Sequence, residues 1–426
     1  MRNLGILFLT FIFIQTGFTQ TVNTVSLGEC YEWAEEAYPL GDKIPLLEQA
    51  QALRIEQIRA ERMPGLEAGF LASWQTEVPD LPFEFPGVGD ILDLPLYRVQ
   101  ASVQASYLLY DGGVTKARIE QEERKLVAEK QGVAVELNKL KESVNQYYFG
   151  ILLLQEKQRI LEATLENLNA QKKRLESGIR NGVVLSSAAD QLEVEILKIQ
   201  SQIDEVRLSE LGLRQQLADL TGKNQDQFSN LTLPQFPPTL FPLPLNRPEF
   251  TFIDLQKSSI AQGEDLLKAR RMPKVSAFAT GGLGYPNPLN FFDDEIAPYA
   301  QVGLQAKWTI FDWGKQKRDR ELLGVQQLIL DNQKQVLETN LNRADAHFLQ
   351  QMQSLEILMN SDRQIAELQA KLLKTISVQM ENGVATITDY VLQSNAENLA
   401  RLQLKTHEIQ LAQVKAGYWV HRGVQL

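Results

Sequence analysis

The chain has 426 residues, of which 44% are hydrophobic and 23% are charged. This balance is typical of folded proteins and excludes wholesale disorder. The net charge of −10 argues against a nucleic-acid partner, because phosphate binding normally requires a basic face. A single cysteine excludes an intrachain disulfide framework, and three widely spaced histidines disfavour a zinc site. We therefore expect no cofactor and no metal.

The first 20 residues have the pattern of a secretion signal. Arg2 precedes an almost wholly apolar stretch over 4–14, and small residues at 16–19 lead to a cleavage point near Gln20. The alternative, an N-terminal membrane anchor, is disfavoured because the stretch is too short to cross hydrocarbon. Cys30 lies beyond this point, and we interpret it as a packing residue rather than a lipid attachment point. No later window has the roughly 18 apolar residues of a transmembrane helix, so only strands could bring this chain into a membrane.

Four landmarks recur in order along the chain and indicate a tandem duplication. Asp111 and Asp312 lie in similar turns 201 positions apart, and an Asn-Gly-Val sequence recurs at the same offset. Arg-Met-Pro at 62–64 recurs at 271–273, and Pro39 recurs as Pro248, both at an offset of 209. Two constant offsets are not expected by chance, so 39–221 and 248–421 are predicted to be copies of one unit.

The duplication divides the chain into four parts. They are a signal peptide (1–20), a first repeat (21–222), a linker (223–249) and a second repeat (250–426). The linker holds six of the 17 prolines, which neither a regular helix nor a central strand would tolerate. We expect it to be an extended segment around the outside of the molecule.

Two long strands, each with one apolar and one polar face, are predicted in each repeat. Apolar and polar residues alternate strictly between Tyr97 and Leu109, and the same alternation recurs at 300–310. In the preceding strands, about 66–76 and 275–285, the faces also stay in phase between the two repeats, at the offset of 209. A soluble sheet is the alternative, but soluble strands average 5–6 residues whereas membrane strands need about 9–11. The polar residues expected to line the lumen of a barrel are Arg98, Gln100, Gln104, Gln305 and Lys307.

Very long helices follow the strands. Nothing breaks a helix between about 114 and 176, which corresponds to roughly 95 Å. The helix at about 186–221 carries a heptad pattern, which requires packing along a coiled-coil seam. Shorter helices at about 43–62 and 250–271 end before prolines.

A sharp reversal joins each long helix to the helix that follows it. Asn and Gly readily adopt the left-handed conformation that ends a helix, so hairpin tips are predicted at 179–186 and 380–387. A free coiled-coil rod is the alternative, but it leaves the amphipathic strands unexplained.

Four strands per chain are too few to close a barrel, for which about eight is the practical minimum. An open sheet does not survive in lipid, because its edge amides and carbonyls would lack hydrogen-bond partners. Several chains are therefore expected to share one barrel, which their helices continue as a tube.

The sequence resembles the TolC-like outer-membrane efflux proteins over nearly all of the mature chain. The resemblance implies a mainly α fold with a membrane β-barrel: a homotrimer with a 12-stranded barrel in the outer membrane and a 12-helix tunnel in the periplasm. It also implies outer-membrane lipid, a periplasmic adaptor (membrane fusion protein) and, through it, an inner-membrane pump or secretion ATPase as partners. The segments that carry the resemblance are Val25-Ser26-Leu27, Tyr110-Asp111-Gly112-Gly113, LADLTG at 217–222, Asn246-Arg247-Pro248-Glu249, Phe311-Asp312-Trp313-Gly314 and the Asn-Gly-Val tips.

This resemblance implies a passive exit duct of a tripartite efflux or type I secretion system, which exports small molecules or proteins and is not an enzyme. The alternative is a periplasmic coiled-coil adaptor or scaffold without channel activity. Adaptors usually carry one helical hairpin, whereas this chain alternates two hairpins with two strand pairs. An enzyme has no support, because the sequence contains no Gly-rich phosphate loop and no nucleophile elbow.

In the family, carboxylates ring the lumen where the tunnel closes near the tips. The matching residue here is Asp389, and three copies around a threefold axis would form an acidic constriction that favours cations. The alternative is that Asp389 only caps the helix after the turn. The chain departs from the family at four positions: Ala188 and Leu392 replace acidic residues, and Ala385 and Met380 replace the Arg and Tyr of the best-known latch.

Asp190 and Glu381 are the remaining candidates for a closing contact, and solvated helix-face charges are the simpler interpretation. The loops at 77–96 and 286–298 are rich in acidic residues, and we assign them no ligand. Asp111 and Asp312 are expected to cap the long helices. The residues expected at the adaptor-docking tips are Asn181, Gly182, Val183, Asn382, Gly383 and Val384.

Overall fold

The computed structural model describes residues 24–77, 95–180, 186–237, 242–290 and 295–424. The predicted signal peptide, most of the first acidic loop and the first tip (Asn181, Gly182, Val183) lie outside the described residues. No helix in the described ranges is long and apolar enough to cross a membrane.

The element order follows the predicted duplication, with two strands, a long helix and a returning helix in each repeat. The helices are α1 (Leu27–Ala37), α2 (Leu40–Ala60), α3 (Val114–Arg180), α4 (Ser186–Thr221), α5 (Pro248–Arg270), α6 (Lys315–Glu381) and α7 (Ile387–Arg422). The strands are β1 (Gly65–Trp74), β2 (Tyr97–Tyr110), β3 (Lys274–Tyr285) and β4 (Ala297–Lys307). A short 3-10 turn spans Gln225–Ser229.

The structure differs from the predicted elements at two places. Helix α1 was not predicted from the sequence and precedes α2: Ser26 and Glu29 form a capping box at its start, and Pro39 lies between the two helices. Strand β4 ends at Lys307, so Trp308 and Ile310 lie beyond the strand in which they were predicted. The physical reason is that Lys307 pairs with Lys274, the first residue of β3, and no strand continues past it.

By its internal contacts the chain divides into two compact units. The first comprises Met1–Tyr38, Glu142–Thr239 and Gln351–Ala416. The second comprises Pro39–Lys141, Leu240–Gln350 and Gly417–Leu426 and contains all four strands.

The first unit is held together by the heptad seam predicted for α4. The seam residues between Leu192 and Val206 pack with Leu161 and Leu168 of α3 in one hydrophobic cluster. Glu210, which interrupts the apolar repeat, is buried and forms an ion pair with Arg214 one turn later at 2.5 Å. The seam residues that are buried are Leu192, Ile199, Ile203, Val206 and Leu217.

Tyr148 of α3 binds two chain segments of the first unit, one before α1 and one after α4. Its side chain is fully buried, and its hydroxyl donates to the carbonyl oxygen of Thr232 at 2.6 Å and lies 3.0 Å from that of Val25. Burial raises the pKa of this hydroxyl, so it stays protonated and remains a donor. The hydroxyl thereby holds the segment before α1 and the linker after α4 against α3.

Tyr148→Phe is expected to lower the free energy of unfolding by about 1–3 kcal/mol, because buried carbonyl oxygens lose their donor. Denaturant unfolding of the detergent-solubilised protein, followed by circular dichroism, measures this loss. The adjacent Tyr147 is only half-buried, so Tyr147→Phe should stay within about 0.5 kcal/mol of wild type. Equal losses in the two variants would contradict the assignment.

Candidate functional site

Two surfaces are candidates for function: the sheet of the second unit and the second hairpin tip of the first unit. The sheet has the strand order β1-β2-β3-β4, with every neighbouring pair antiparallel. Residues directly opposite each other on paired strands share a face. The register therefore decides which side chains lie together.

The predicted apolar faces of the strands merge into one continuous surface. Val103 lies opposite Ala68 on β1 and Gly281 on β3, while Leu304 on β4 lies opposite Ala277. This surface is open to its surroundings, since Phe70 is 72% exposed and Val302 is 80% exposed. A soluble protein rarely leaves so much apolar surface uncovered.

The five residues predicted to line a lumen all lie on the opposite face of the sheet. Gln104 lies opposite Glu67 and Thr280, and the Gln100 amide donates to the Tyr299 hydroxyl across the sheet. The remaining three have polar or charged partners directly opposite: Arg98 has Ser73, Gln305 has Ser276 and Lys307 has Lys274. The structure thus brings the five side chains to one face, and that this face encloses a lumen stays a prediction.

Aromatic side chains mark both ends of the apolar face. At one end the rings of Tyr97 and Tyr285 stack with their centroids 5.2 Å apart, close to Trp74. Tyr107 lies on the same face near the other end, and Trp308 follows β4 there. The ten residue-to-residue steps from Tyr97 to Tyr107 span about 33 Å along the strand. A strand of this length tilted by about 40° covers the roughly 25 Å apolar band of membrane barrels.

The second tip is built from a helix end and a helix start placed back to back. Gly383 adopts the left-handed conformation with φ of 72°, and its N–H donates to the carbonyl of Met380. The N–H of Val384 donates to the carbonyl of Gln379 at 2.8 Å, which completes a Schellman motif. The predicted reversal at Asn382, Gly383 and Val384 is therefore present, with its physical cause.

Asp389 caps the start of α7, as the alternative interpretation expected. Its Oδ2 accepts hydrogen bonds from the Thr386 hydroxyl at 2.7 Å and from the Thr386 backbone N–H at 2.9 Å. These bonds, the hydroxyl first, lower the pKa of the exposed carboxyl. The residue stays ionised at neutral pH, so the cap leaves a negative charge at the tip. Its role in a constriction stays a prediction.

The two candidates for a closing contact behave differently in the structure. Glu381 at the end of α6 forms an ion pair with Arg174 of α3. Asp190 is exposed and makes no ion pair among the described residues. Arg174 was missed by sequence reasoning because it lies outside both Asn-Gly-Val tips, and only its position on a heptad helix near a tip could have suggested it.

Three of the residues that replace the family's latch and acidic residues differ in how far they are buried. Met380 and Ala188 pack against the hydrophobic cluster of the first unit, while Leu392 is 65% exposed. Asp111 and Asp312 accept hydrogen bonds from the backbone of Thr115 and Gln316, so both cap the long helices as predicted.

The comparisons with known proteins agree with this geometry. Residues 46–223 match the outer membrane efflux protein family. The match covers 178 of the chain's 426 residues. The described residues contain no group of side chains that could hold a metal ion, and no curated protein sequence matches the chain.

Solved structures extend the likeness to both halves of the chain. VceC from Vibrio cholerae is 16% identical, with a TM-score of 0.62 over 93% of this chain and 96% of that one. The Neisseria gonorrhoeae outer membrane channel MtrE is 16% identical, with a TM-score of 0.64 over 94% and 89%. The Campylobacter jejuni channel CmeC is 12% identical, with a TM-score of 0.60 over 93% and 85%. The chain thus has the fold of outer-membrane channels.

The predicted resemblance to TolC-like efflux proteins and the predicted outer-membrane location are both confirmed. The matched proteins are channels and efflux proteins rather than enzymes.

Proposed function

We propose that three copies of this chain form a passive outer-membrane exit duct of a tripartite efflux or type I secretion system. The observation that carries the proposal is the continuous, uncovered apolar face of the sheet. It joins all four strands and ends in aromatic side chains on both sides. Such a face is stable in hydrocarbon only if the sheet closes on itself.

Closure requires strands from other copies. The four strands in the described part of each chain make twelve in a trimer, which exceeds the roughly eight that a barrel needs. The face carrying Gln100, Gln104 and Lys307 would then line the lumen, because lumen-facing and lipid-facing residues alternate along barrel strands.

Helices of the first unit also carry apolar stripes that need a partner. On α4 the exposed stripe is separate from the buried seam and contains Val194, Leu197, Leu208 and Leu211. On α6 the exposed Ile365, Leu368 and Leu372 follow the three-and-four spacing of a coiled-coil seam. Contact with further copies would cover these stripes, which supports a helical tunnel built from several copies of the chain.

The tips would dock a periplasmic adaptor and, through it, an inner-membrane pump. Val384 supports this assignment, because the side chain is 76% exposed between two rigid caps. An apolar residue held out by a fixed turn is suited to a pocket on a partner protein. We include Asn181, Gly182 and Val183 in this proposal because the duplication makes them the counterparts of the second tip.

Asp389 would set the charge selectivity of the duct. In planar bilayers the purified protein should conduct with a preference for cations, because three ionised carboxylates near an axis attract them. Asp389→Ala should weaken this preference. Asp389→Asn should weaken it equally while retaining a capping side chain, which separates the charge from the cap.

The exposed Asp204 of α4 provides a matched control, since Asp204→Asn removes the same charge away from the tip. Unchanged selectivity in both Asp389 variants would remove this residue from the constriction. A protein that forms no conducting pores and needs no detergent would instead favour the periplasmic adaptor.

A further inference from the structure

Basic side chains are concentrated where the helices of the second unit meet the sheet. The four segments at these junctions are 59–64, 111–118, 268–274 and 307–318, and together we call them the junction band. They contain 12 of the chain's 43 lysines and arginines but only three acidic residues, although the whole chain has a net charge of −10. The junction band is therefore strongly positive in an otherwise acidic protein.

The opposite end of the sheet carries the opposite charge in the sequence. The segments that join β1 to β2 and β3 to β4, 75–96 and 286–296, contain eight acidic residues and no basic residue. The apolar face thus belongs to strands with acidic connections at one end and basic ones at the other. With this face in the outer membrane and the long helices in the periplasm, the junction band meets the leaflet that adjoins the periplasm.

An open cavity of about 590 Å³ lies in the junction band, between the end of α2, the end of β2 and the start of α3. Its basic lining residues are Arg59, Arg62 and Lys116, and neither arginine forms an ion pair with another described residue. Met63 and Tyr107, which are 65% and 41% exposed, form its apolar part. Because Tyr107 belongs to the apolar face of the sheet, the cavity is continuous with that face.

Two carboxylates also line the cavity, on the side away from the sheet. Glu120 and Glu123 lie about 6 and 10 Å farther along α3 than Lys116. The Glu120 carboxylate already accepts a hydrogen bond from the Gln262 amide at 2.9 Å. The part of the cavity next to the sheet is therefore its positive part.

The duplication keeps the positive charges of this cavity. At the offsets of 209 and 201, its three basic residues correspond to basic residues of the second repeat: Arg59 to Lys268, Arg62 to Arg271 and Lys116 to Lys317. Tyr107 corresponds to Trp308, whose indole N–H donates to the carbonyl of Arg271 at 3.1 Å. Both repeats thus place an aromatic side chain of the strand end beside basic residues.

A neighbouring ion pair shows that the sign of a charge is not kept at every position. Arg118 pairs with Glu61, but their counterparts are Asp319 and Arg270, so the two signs are exchanged. An ion pair within the chain needs only opposite charges, and either arrangement provides them. A positive sign that is kept at three cavity positions instead indicates a negative partner from outside the chain.

We propose that this cavity binds the headgroup of an anionic phospholipid, such as phosphatidylglycerol, from the leaflet that adjoins the periplasm. The inference rests on the proposed outer-membrane duct. Arg59 and Arg62 bind the phosphate, because a guanidinium group donates two parallel hydrogen bonds to phosphate oxygens, and Lys116 adds a point charge. The acyl chains lie on the apolar face beside Leu66 and Tyr107, which are 74% and 41% exposed. Basic groups at a membrane surface attract anionic lipids in this way.

Lipid titration of the full-length protein in detergent tests the site. Native mass spectrometry counts the lipids that each chain retains when phosphatidylglycerol, or phosphatidylcholine with the same acyl chains, is added. The wild type should retain at least one phosphatidylglycerol per chain, with at least tenfold higher affinity than for phosphatidylcholine. The reason is that the choline headgroup has no net charge for the arginines and the lysine to neutralise.

Two variants with the same net charge separate the cavity from general electrostatics. The test variant combines Arg59→Gln, Arg62→Gln and Lys116→Gln, and it should retain one phosphatidylglycerol fewer per chain. The matched control removes three charges at exposed positions of α3 and α4 outside the junction band: Lys139→Gln, Lys173→Gln and Arg207→Gln. The control should retain the wild-type number. Arg59→Lys with Arg62→Lys keeps the positive charges and should also keep the lipid.

Inorganic phosphate distinguishes the two possible sources of the anion. In large excess it should not displace phosphatidylglycerol, because it has no acyl chains to lie on the apolar face; displacement would make the cavity a site for free phosphate and overturn the lipid assignment. A protein that forms conducting pores but binds both lipids equally, or whose test variant binds like wild type, would overturn the site and leave the duct standing. A protein that forms no pores and needs no detergent would overturn the proposed function itself.

Discussion

Val103→Arg is expected to destabilise the membrane-inserted protein by about 2–4 kcal/mol per chain, because a charge near the middle of the apolar face must lie in hydrocarbon. Val103 lies near the middle of β2 between Tyr97 and Tyr107. Its neighbours across the sheet are Ala68 and Gly281, which offer no partner for a guanidinium group. Guanidinium unfolding in lipid vesicles measures the loss, and the amount of protein in the outer-membrane fraction should fall with it.

The neighbouring position provides the control. Gln104 lies on the polar face directly opposite Glu67, so Gln104→Arg places the same charge beside a carboxylate. Its stability should stay within about 0.5 kcal/mol of wild type. If the two variants were equally stable, the apolar face would not be in contact with lipid, and the proposed function would lose the observation that carries it.

Gly112→Ala is expected to lower the stability of the second unit by about 2–5 kcal/mol, which combines two effects. Gly112 has a left-handed φ of 73°, a conformation that disfavours any side chain. A Cβ would also lie 2.6 Å from the Met272 Cβ and 2.7 Å from the Ala269 carbonyl oxygen. The thermal unfolding midpoint in detergent, followed by circular dichroism, measures the change.

Gly383 separates the two effects. It has nearly the same φ, 72°, but no atom lies within 4 Å of an added Cβ. Gly383→Ala should therefore cost only the conformational part, about 1–2 kcal/mol. Equal shifts at the two glycines would mean that Met272 and Ala269 yield to the new methyl group, and that Gly112 is less tightly packed than the structure shows.

The features that sequence reasoning identified correctly are periodic or local. The alternation between Tyr97 and Leu109 predicted two faces, and the register joined them as expected because strand faces have a period of two. The left-handed turn at Gly383 and the caps at Asp111 and Asp312 followed from residue types with a local preference. The heptad of α4 predicted its buried seam for the same reason.

Other features depend on residues that are distant in the sequence. The end of β4 at Lys307 is set by where β3 begins, and the buried Glu210 is tolerated because Arg214 supplies a charge partner. The ion pair between Arg174 and Glu381 joins helices more than 200 positions apart. Neither residue belongs to a motif that would predict the other as its partner, so the sequence contains no signal for the pair.

The sequence by itself determined the duplication, the amphipathic strands, the long helices and the resemblance to efflux proteins. Each of these features can be recognised from short-range periodicity or from motifs. Only the tertiary structure decided that α3 contacts both α2 and α5, through the ion pair of Lys130 with Glu48 and the hydrogen bond from Gln262 to Glu120. These contacts decide which surfaces of the repeats are covered. The physical reason is that burial is a property of contacts between distant segments. Ala128 and Ile329 occupy equivalent positions at the offset of 201, yet the first is buried and the second is exposed, because their surroundings in the folded chain differ.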